Sequence, residues 1–170
     1  MEFSRAFAMP NAETFSIKPI WEFVGRYLGG VSVDPFARNC ALATIRNDLD
    51  PRTEAQFHMD AEEFLRMLAV QSAQVDVVLF DPPYSPRQIS ECYKGVGLEV
   101  GMKTTQNAAL YKRVRDAVDP ILKPGGVVLS FGWNSNGMGK TRGYAIEEIL
   151  LVAHGGGHND TICMAERKPE

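Results

Sequence analysis

The hydrophobic positions of this chain alternate between helical spacing and short unbroken runs. In TFSIKPIWEFVGRYL, Thr14 to Leu28, the residues Ile20, Phe23, Val24, Tyr27 and Leu28 recur at helical spacing and predict one buried face. Pro19 suits the first turn, and the glycine pair at 29–30 ends the helix. VSVDPF then reads as a short strand that runs into an acid and a proline, and ALATIRNDLDP as a weaker strand that also ends in acids. FHMDAEEFLRML joins a few strand-like residues to a helix from about Ala61, with Asp60 placed as its N-cap and Glu63 in a box-like position.

The clearest strand is VDVVLFDPPY, apolar without alternation, as in a parallel strand covered on both faces. Its prolines cannot donate to a sheet ladder, so it stops at Asp81. The stretch from Gln106 to Leu122 predicts a helix with Ala109, Leu110, Val114, Ala117, Val118 and Leu122 turned inward, ended by KPGG. VVLSFGW gives another buried strand, and AIEEILLVAHGGGHNDTICMAERK reads as two strands joined by a glycine-rich turn. Alternating strands and helices predict an α/β fold whose sheet is mostly parallel, with an antiparallel C-terminal hairpin. Ligands of such sheets lie at the carboxyl ends of the strands.

Composition narrows this modestly. The 170 residues suit a single domain, 1–170, with 1–13 as an N-terminal extension. A hydrophobic fraction of 45% and a charged fraction of 23% are those of an ordinary globular protein. No apolar run approaches the roughly 20 residues of a membrane helix, and MEFSRAFAMPNAE lacks the layout of a secretory signal. Cys40, Cys92 and Cys163 fit neither a disulfide framework nor a zinc site, which points to a reducing, cytoplasmic location. His58, His154 and His158 show no ligand spacing, so no metal is expected. The net charge of −3 counts mildly against a nucleic-acid partner, although one local basic face is enough to bind one.

The acids carry more. Asp34, Asp48 or Asp50, Asp60 and Asp81 each follow a predicted strand, so a parallel sheet would collect them on one rim. There they repel one another unless they bind donors or a cation. A lone Asp in such a place is ordinarily a helix cap or turn residue; the set is more telling. Acids after the second and third strands have the geometry to take a ribose diol and an adenine amine. Asp81-Pro82-Pro83-Tyr84 adds a carboxylate, a carbonyl held open by two prolines and a ring face. Two converging acceptors suit an exocyclic NH2 group, and a ring suits a base.

This tetrapeptide resembles the catalytic motif of S-adenosylmethionine-dependent amino-methyltransferases that act on adenine N6 in DNA. FSIKPI resembles their segment at the methionine end of the cofactor, and DPF the start of their cofactor motif. NDLDP and HMDA resemble the stretches that hold ribose and adenine. The small phage-type enzymes that carry DPPYSPRQ and FGWNSNG are the nearer likeness. The resemblance covers the chain from Phe15 to the final hairpin and implies a Rossmann-like class I methyltransferase fold. It implies S-adenosylmethionine as cofactor, held by Phe15, Lys18, Asp34, Pro35, Phe36, Ala37, Arg38, Asp48, Asp60 and Ala61. It implies Asp81, Pro82, Pro83 and Tyr84 as the catalytic residues, polarising the target amine. One departure stands out: after DPF the family reads small residue, Gly, Ser, Gly, and here the loop is Ala37, Arg38, Asn39, Cys40. The missing glycines either weaken cofactor binding or imply a differently shaped loop in which Arg38 reaches the cofactor carboxylate.

Residues 85–104 read as a mobile loop that contacts the target, with Ser85, Arg87, Tyr93, Lys94 and Lys103 on it. GWNSNGMGKTRG is a second such loop, offering Trp133, Asn134, Lys140 and Arg142. No segment is spare for separate target recognition, so a relaxed target, a homodimer or a partner subunit is expected. The expected substrate is DNA in preference to RNA. An RNA adenine N6 or guanine N2 enzyme, or an inactive methyltransferase-like binding module, stands as the alternative.

Overall fold

The computed structural model describes residues 1–99 and 107–170; the side chains of Asn107 and Lys140 lie outside the description. Among these residues one sheet forms from β1 (Glu2–Phe7), β2 (Ser32–Asp34), β3 (Ile45–Arg46), β4 (Val75–Phe80), β5 (Leu122–Gly132), β6 (Ala145–Ala153) and β7 (Thr161–Arg167). Their spatial order is β1-β6-β7-β5-β4-β2-β3. Every pairing is parallel except the two that β7 makes, with β5 and with β6. The expected mostly parallel sheet with an antiparallel C-terminal hairpin is the sheet that forms.

Strand β4 shows why its sequence has no polar alternation. Val77 and Leu79 join Val127, Leu129 and Phe131 on one face, beneath Ile20, Phe23 and Val24 of helix α1 (Lys18–Tyr27). Val75, Val78 and Phe80 enter a second cluster with α2 (Ala61–Val70) and α4 (Asn107–Val118) on the opposite face. A strand buried on both sides needs an apolar residue at each position. Each fully buried residue such as Leu79 contributes about 1.5–3 kcal/mol relative to exposure.

Four local expectations change. Residues 1–13 include an edge strand: β1 pairs with β6, and the Ala8 amide donates to the Ala153 carbonyl at 3.1 Å. Its larger side chains, Phe3 and Phe7, are 63% and 69% exposed, while the small Ser4 and Ala6 are partly buried, so no apolar run announces it. Leu122 belongs to β5, because α4 ends at Val118 before Asp119-Pro120. Asp60 caps α2 by accepting the Glu62 amide at 2.9 Å, rather than through a box with Glu63. Half of the expected loop 85–104 is helix α3 (Pro86–Gly95); residues 100–104, including Lys103, lie outside the described residues. No described helix is long and apolar enough to cross a membrane.

Candidate active site

Strand order reverses between β2 and β4, neighbours in space whose connections leave in opposite directions along the sheet. Open parallel sheets place ligands outside the carboxyl ends of the strands at that switch. A cavity of about 530 Å3 lies there. Strand β4 delivers Asp81 to its wall, β2 delivers Pro35 and Phe36, and the chain after β3 delivers Asp48 and Leu49. Met59, Asp60 and Ala61 come from the lead into α2, and Cys92 and Tyr93 from α3.

The acids on this rim bind local donors, and at Asp34 the neighbouring charges of Asp81 and Asp48 still act on the carboxyl. Asp34 Oδ1 accepts the Phe36 amide at 2.9 Å, and its Oδ2 has no partner among the described residues. Asp48 accepts the amides of Arg38 and Asp50 at 3.0 and 2.9 Å. Asp60 accepts the Glu62 amide and, at 2.5 Å, the Tyr93 hydroxyl. Asp50 turns instead to the Arg52 guanidinium, which holds its carboxyl down to about 2. Burial pushes Asp34 up to about 8 and also raises Asp81, where the hydroxyls of Tyr84 and Thr14 oppose the rise.

Around Asp81 the backbone is pinned from three sides. Tyr84 donates its hydroxyl to Asp81 Oδ1. Gln88 Oε1 accepts the amides of Tyr84 and Ser85 at 2.7 and 3.1 Å, while Ser85 Oγ accepts the Gln88 amide, closing a capping box at the start of α3. From α4, the Tyr111 hydroxyl donates to the Pro83 carbonyl at 2.7 Å. Trp133 stands edge-on to Tyr84, ring centres 5.6 Å apart.

The expected residues divide by position. Asp81, Pro82, Pro83 and Tyr84 line the cavity, as do Pro35, Phe36, Arg38, Asp48, Asp60, Ala61 and Tyr93. Phe15 does not; it is buried against Phe131, ring centres 5.1 Å apart. Lys18 is exposed beside Glu22, and Ala37 and Asp34 are buried behind the wall. Ser85 caps α3, Arg87 is paired with Glu91 at 2.8 Å, and Lys94 is exposed on the last turn. Trp133 reaches the rim only through Tyr84, and Asn134 turns its Oδ1 to the Asn136 amide. The Lys140 side chain lies outside the described residues. Arg142 is held away from the rim, donating to the Met138 carbonyl at 2.7 Å and to Asp116 on α4. Thr14, Asn47, Gln88 and Tyr111 carry parts of the geometry that the sequence reading did not assign.

No protein-family model matches this sequence, and no curated protein matches it. Solved structures do share its fold. SMU.776, a candidate methyltransferase complexed with SAH, superposes with a TM-score of 0.63 at 11% identity, over 93% of this chain and 50% of its own. TrmN from Thermus thermophilus gives 0.57 at 18% identity, over 89% and 47%. A candidate rRNA methylase from Clostridium thermocellum gives 0.53 at 9% identity, over 94% and 100%. The chain has the Rossmann-like methyltransferase fold. It spans about half the length of the first two of these structures.

Within this methyltransferase fold the loop after β2 keeps a left-handed residue without glycine. Arg38 has φ +50°, a conformation that favours glycine. Its amide donates to Asp48, and its guanidinium reaches the Ala12 carbonyl at 2.7 Å and the Glu13 carboxylate at 3.4 Å. The loop is thereby sewn to residues 11–14, of which Asn11, Ala12 and Thr14 form another wall of the cavity.

Proposed function

We propose that this chain transfers the methyl group of S-adenosylmethionine to the exocyclic amine of a nucleobase, with adenine N6 in DNA as the leading target. The observation that carries this reading is a single cavity that joins Asp81–Tyr84 to Asp48 and Asp60. Its volume falls within the roughly 300–1,000 Å3 of small-molecule sites. The lining suits the cofactor: Phe36, Leu49, Met59 and Ala61 offer apolar walls, Asp60 an acceptor for an amine, and Asp48 an acceptor for hydroxyls. The cofactor would supply a methyl group already activated as a sulfonium.

What the chain itself does is positional and electrostatic. Asp81 and the Pro82 carbonyl accept the hydrogens of the target amine and stabilise the positive charge its nitrogen gains. The Tyr84 ring, braced by Trp133, flanks the base plane. A base in a duplex is flipped out of the stack to reach this rim.

A second reading, an RNA base as target, is favoured by the rRNA methylase likeness, because that protein is matched over its full length. The test is transfer of a labelled methyl group from S-adenosylmethionine to duplex DNA, single-stranded DNA and RNA, followed by nucleoside analysis. Label in N6-methyladenine from DNA is the expected result. Label confined to RNA establishes the second reading, and no label in any nucleic acid overturns both.

A further inference from the structure

Two tyrosine hydroxyls occupy the two carboxylates that the proposed reaction reserves for amines. Tyr93 donates to Asp60 Oδ2 at 2.5 Å, and Tyr84 donates to Asp81 Oδ1. The choice of oxygen matters at Asp60. Its Oδ1 is committed to the Glu62 amide that caps α2, so Oδ2 is the oxygen turned to a further donor. Both tyrosines ride on one element: Tyr84 is tied by its amide to Gln88 in the first turn of α3, and Tyr93 lies near the end of that helix. Ile89 is the one buried residue of α3 and Tyr93 packs partly buried against the same core cluster, while Arg87, Gln88, Glu91, Cys92 and Lys94 are exposed. Little apolar packing therefore resists movement of the helix.

We infer that Tyr93 gates the adenine subsite of the cofactor: its hydroxyl stands in for the adenine amine on Asp60, and an arriving amine displaces it, drawing α3 and Tyr84 away from Asp81. The inference rests on the methyltransferase reading above. The exchange replaces one hydrogen bond to a carboxylate by another, so it runs close to neutral and responds to a ligand of ordinary affinity. It also couples the two substrates. The cofactor releases Tyr93 and the target amine releases Tyr84 from the same helix, so each favours binding of the other.

Tyr93→Phe removes the competing hydroxyl and keeps the ring. S-adenosylhomocysteine is the probe, titrated by calorimetry. Trp133 serves as reporter of Tyr84 in a Trp21→Phe background, which leaves it the sole tryptophan. Tyr93→Phe is expected to bind the probe roughly fivefold tighter or more. Its unliganded Trp133 emission should already resemble that of the saturated parent. Unchanged or weaker binding overturns the gate, because Tyr93 would then be a bystander or a cofactor contact. If the parent protein binds no probe at all, the methyltransferase reading fails and takes this one with it; binding without a gain in Tyr93→Phe fails the gate alone.

Discussion

Asn47 clasps the peptide of Met59 from both sides: Oδ1 accepts its amide and Nδ2 donates to its carbonyl, each at 3.0 Å. Nδ2 also donates to the Pro35 carbonyl at 3.1 Å, and the residue is completely buried. One side chain thus holds together the ends of β2 and β3 and the entry to α2, the three segments that carry Pro35, Asp48 and Asp60. Asn47→Ala leaves these buried groups unpaired, at about 1–3 kcal/mol for each. Urea unfolding should show a loss of at least about 2 kcal/mol, and a loss below about 0.5 kcal/mol would refute the clasp.

Asp34 makes stability depend on pH. Burial raises its carboxyl from an ordinary 3.8 to about 8. Between those values the folded protein holds a proton that the unfolded chain has released, so stability is full at low pH and falls as pH rises through the folded value. Asp34→Asn keeps an acceptor for the Phe36 amide and removes the titration. It should stabilise the protein more at pH 8 than at pH 5, measured by chemical unfolding at each. An equal effect at both would contradict the assignment.

Arg38→Gly separates conformation from contact. Glycine relieves a left-handed φ that costs other residues roughly 1–2 kcal/mol. It also removes the bond to the Ala12 carbonyl and an ion pair to Glu13 whose partners are both more than half exposed, a pair worth little. Global stability should change by less than about 1 kcal/mol, because these effects oppose one another. Hydrogen exchange at residues 11–14 should nevertheless quicken, and KM for S-adenosylmethionine should rise. Unaltered exchange there would show that Arg38 does not brace the wall.

What the sequence disclosed follows the range of each interaction. Helices α1 and α2 were legible because burial writes a period into consecutive residues, and strands β4 and β5 as unbroken apolar runs. Of the rim acids, Asp34, Asp48 and Asp81 stand at or just past strand ends, whereas Asp60 follows no strand, only the bridge between Phe57 and Asn47. Strand β1 left no such mark, since its least exposed positions, Ser4 and Ala6, are small and only partly buried. Helix α3 buries little besides Ile89 and so lacks an apolar stripe; its signal was the S-P-R-Q of Ser85 to Gln88, a capping box with proline at the first turn. Asn47, Thr14 and Tyr111 act on chain segments distant in sequence. Nothing local to Tyr111 on α4 foretells that its hydroxyl meets the Pro83 carbonyl.

Asp81 offers the sharpest division between folding and chemistry. Its carboxylate is partly buried at the end of β4, on the cavity wall, and burial raises its pKa, so the site holds this acid at a cost to the fold. Asp81→Asn keeps the volume and an oxygen for the Tyr84 hydroxyl while removing the charge that would face the positive nitrogen of the target. Its unfolding midpoint should equal or exceed that of the parent, and its affinity for S-adenosylhomocysteine should stay within about twofold, since Asp48 and Asp60 are untouched. Methyl transfer should fall by about 10²–10³, the loss typical of removing one electrostatic stabiliser from an active site. Turnover equal to the parent would remove Asp81 from the chemistry. Loss of binding together with turnover would instead make it a support of the cavity, holding Tyr84 and Thr14 in place rather than meeting the amine.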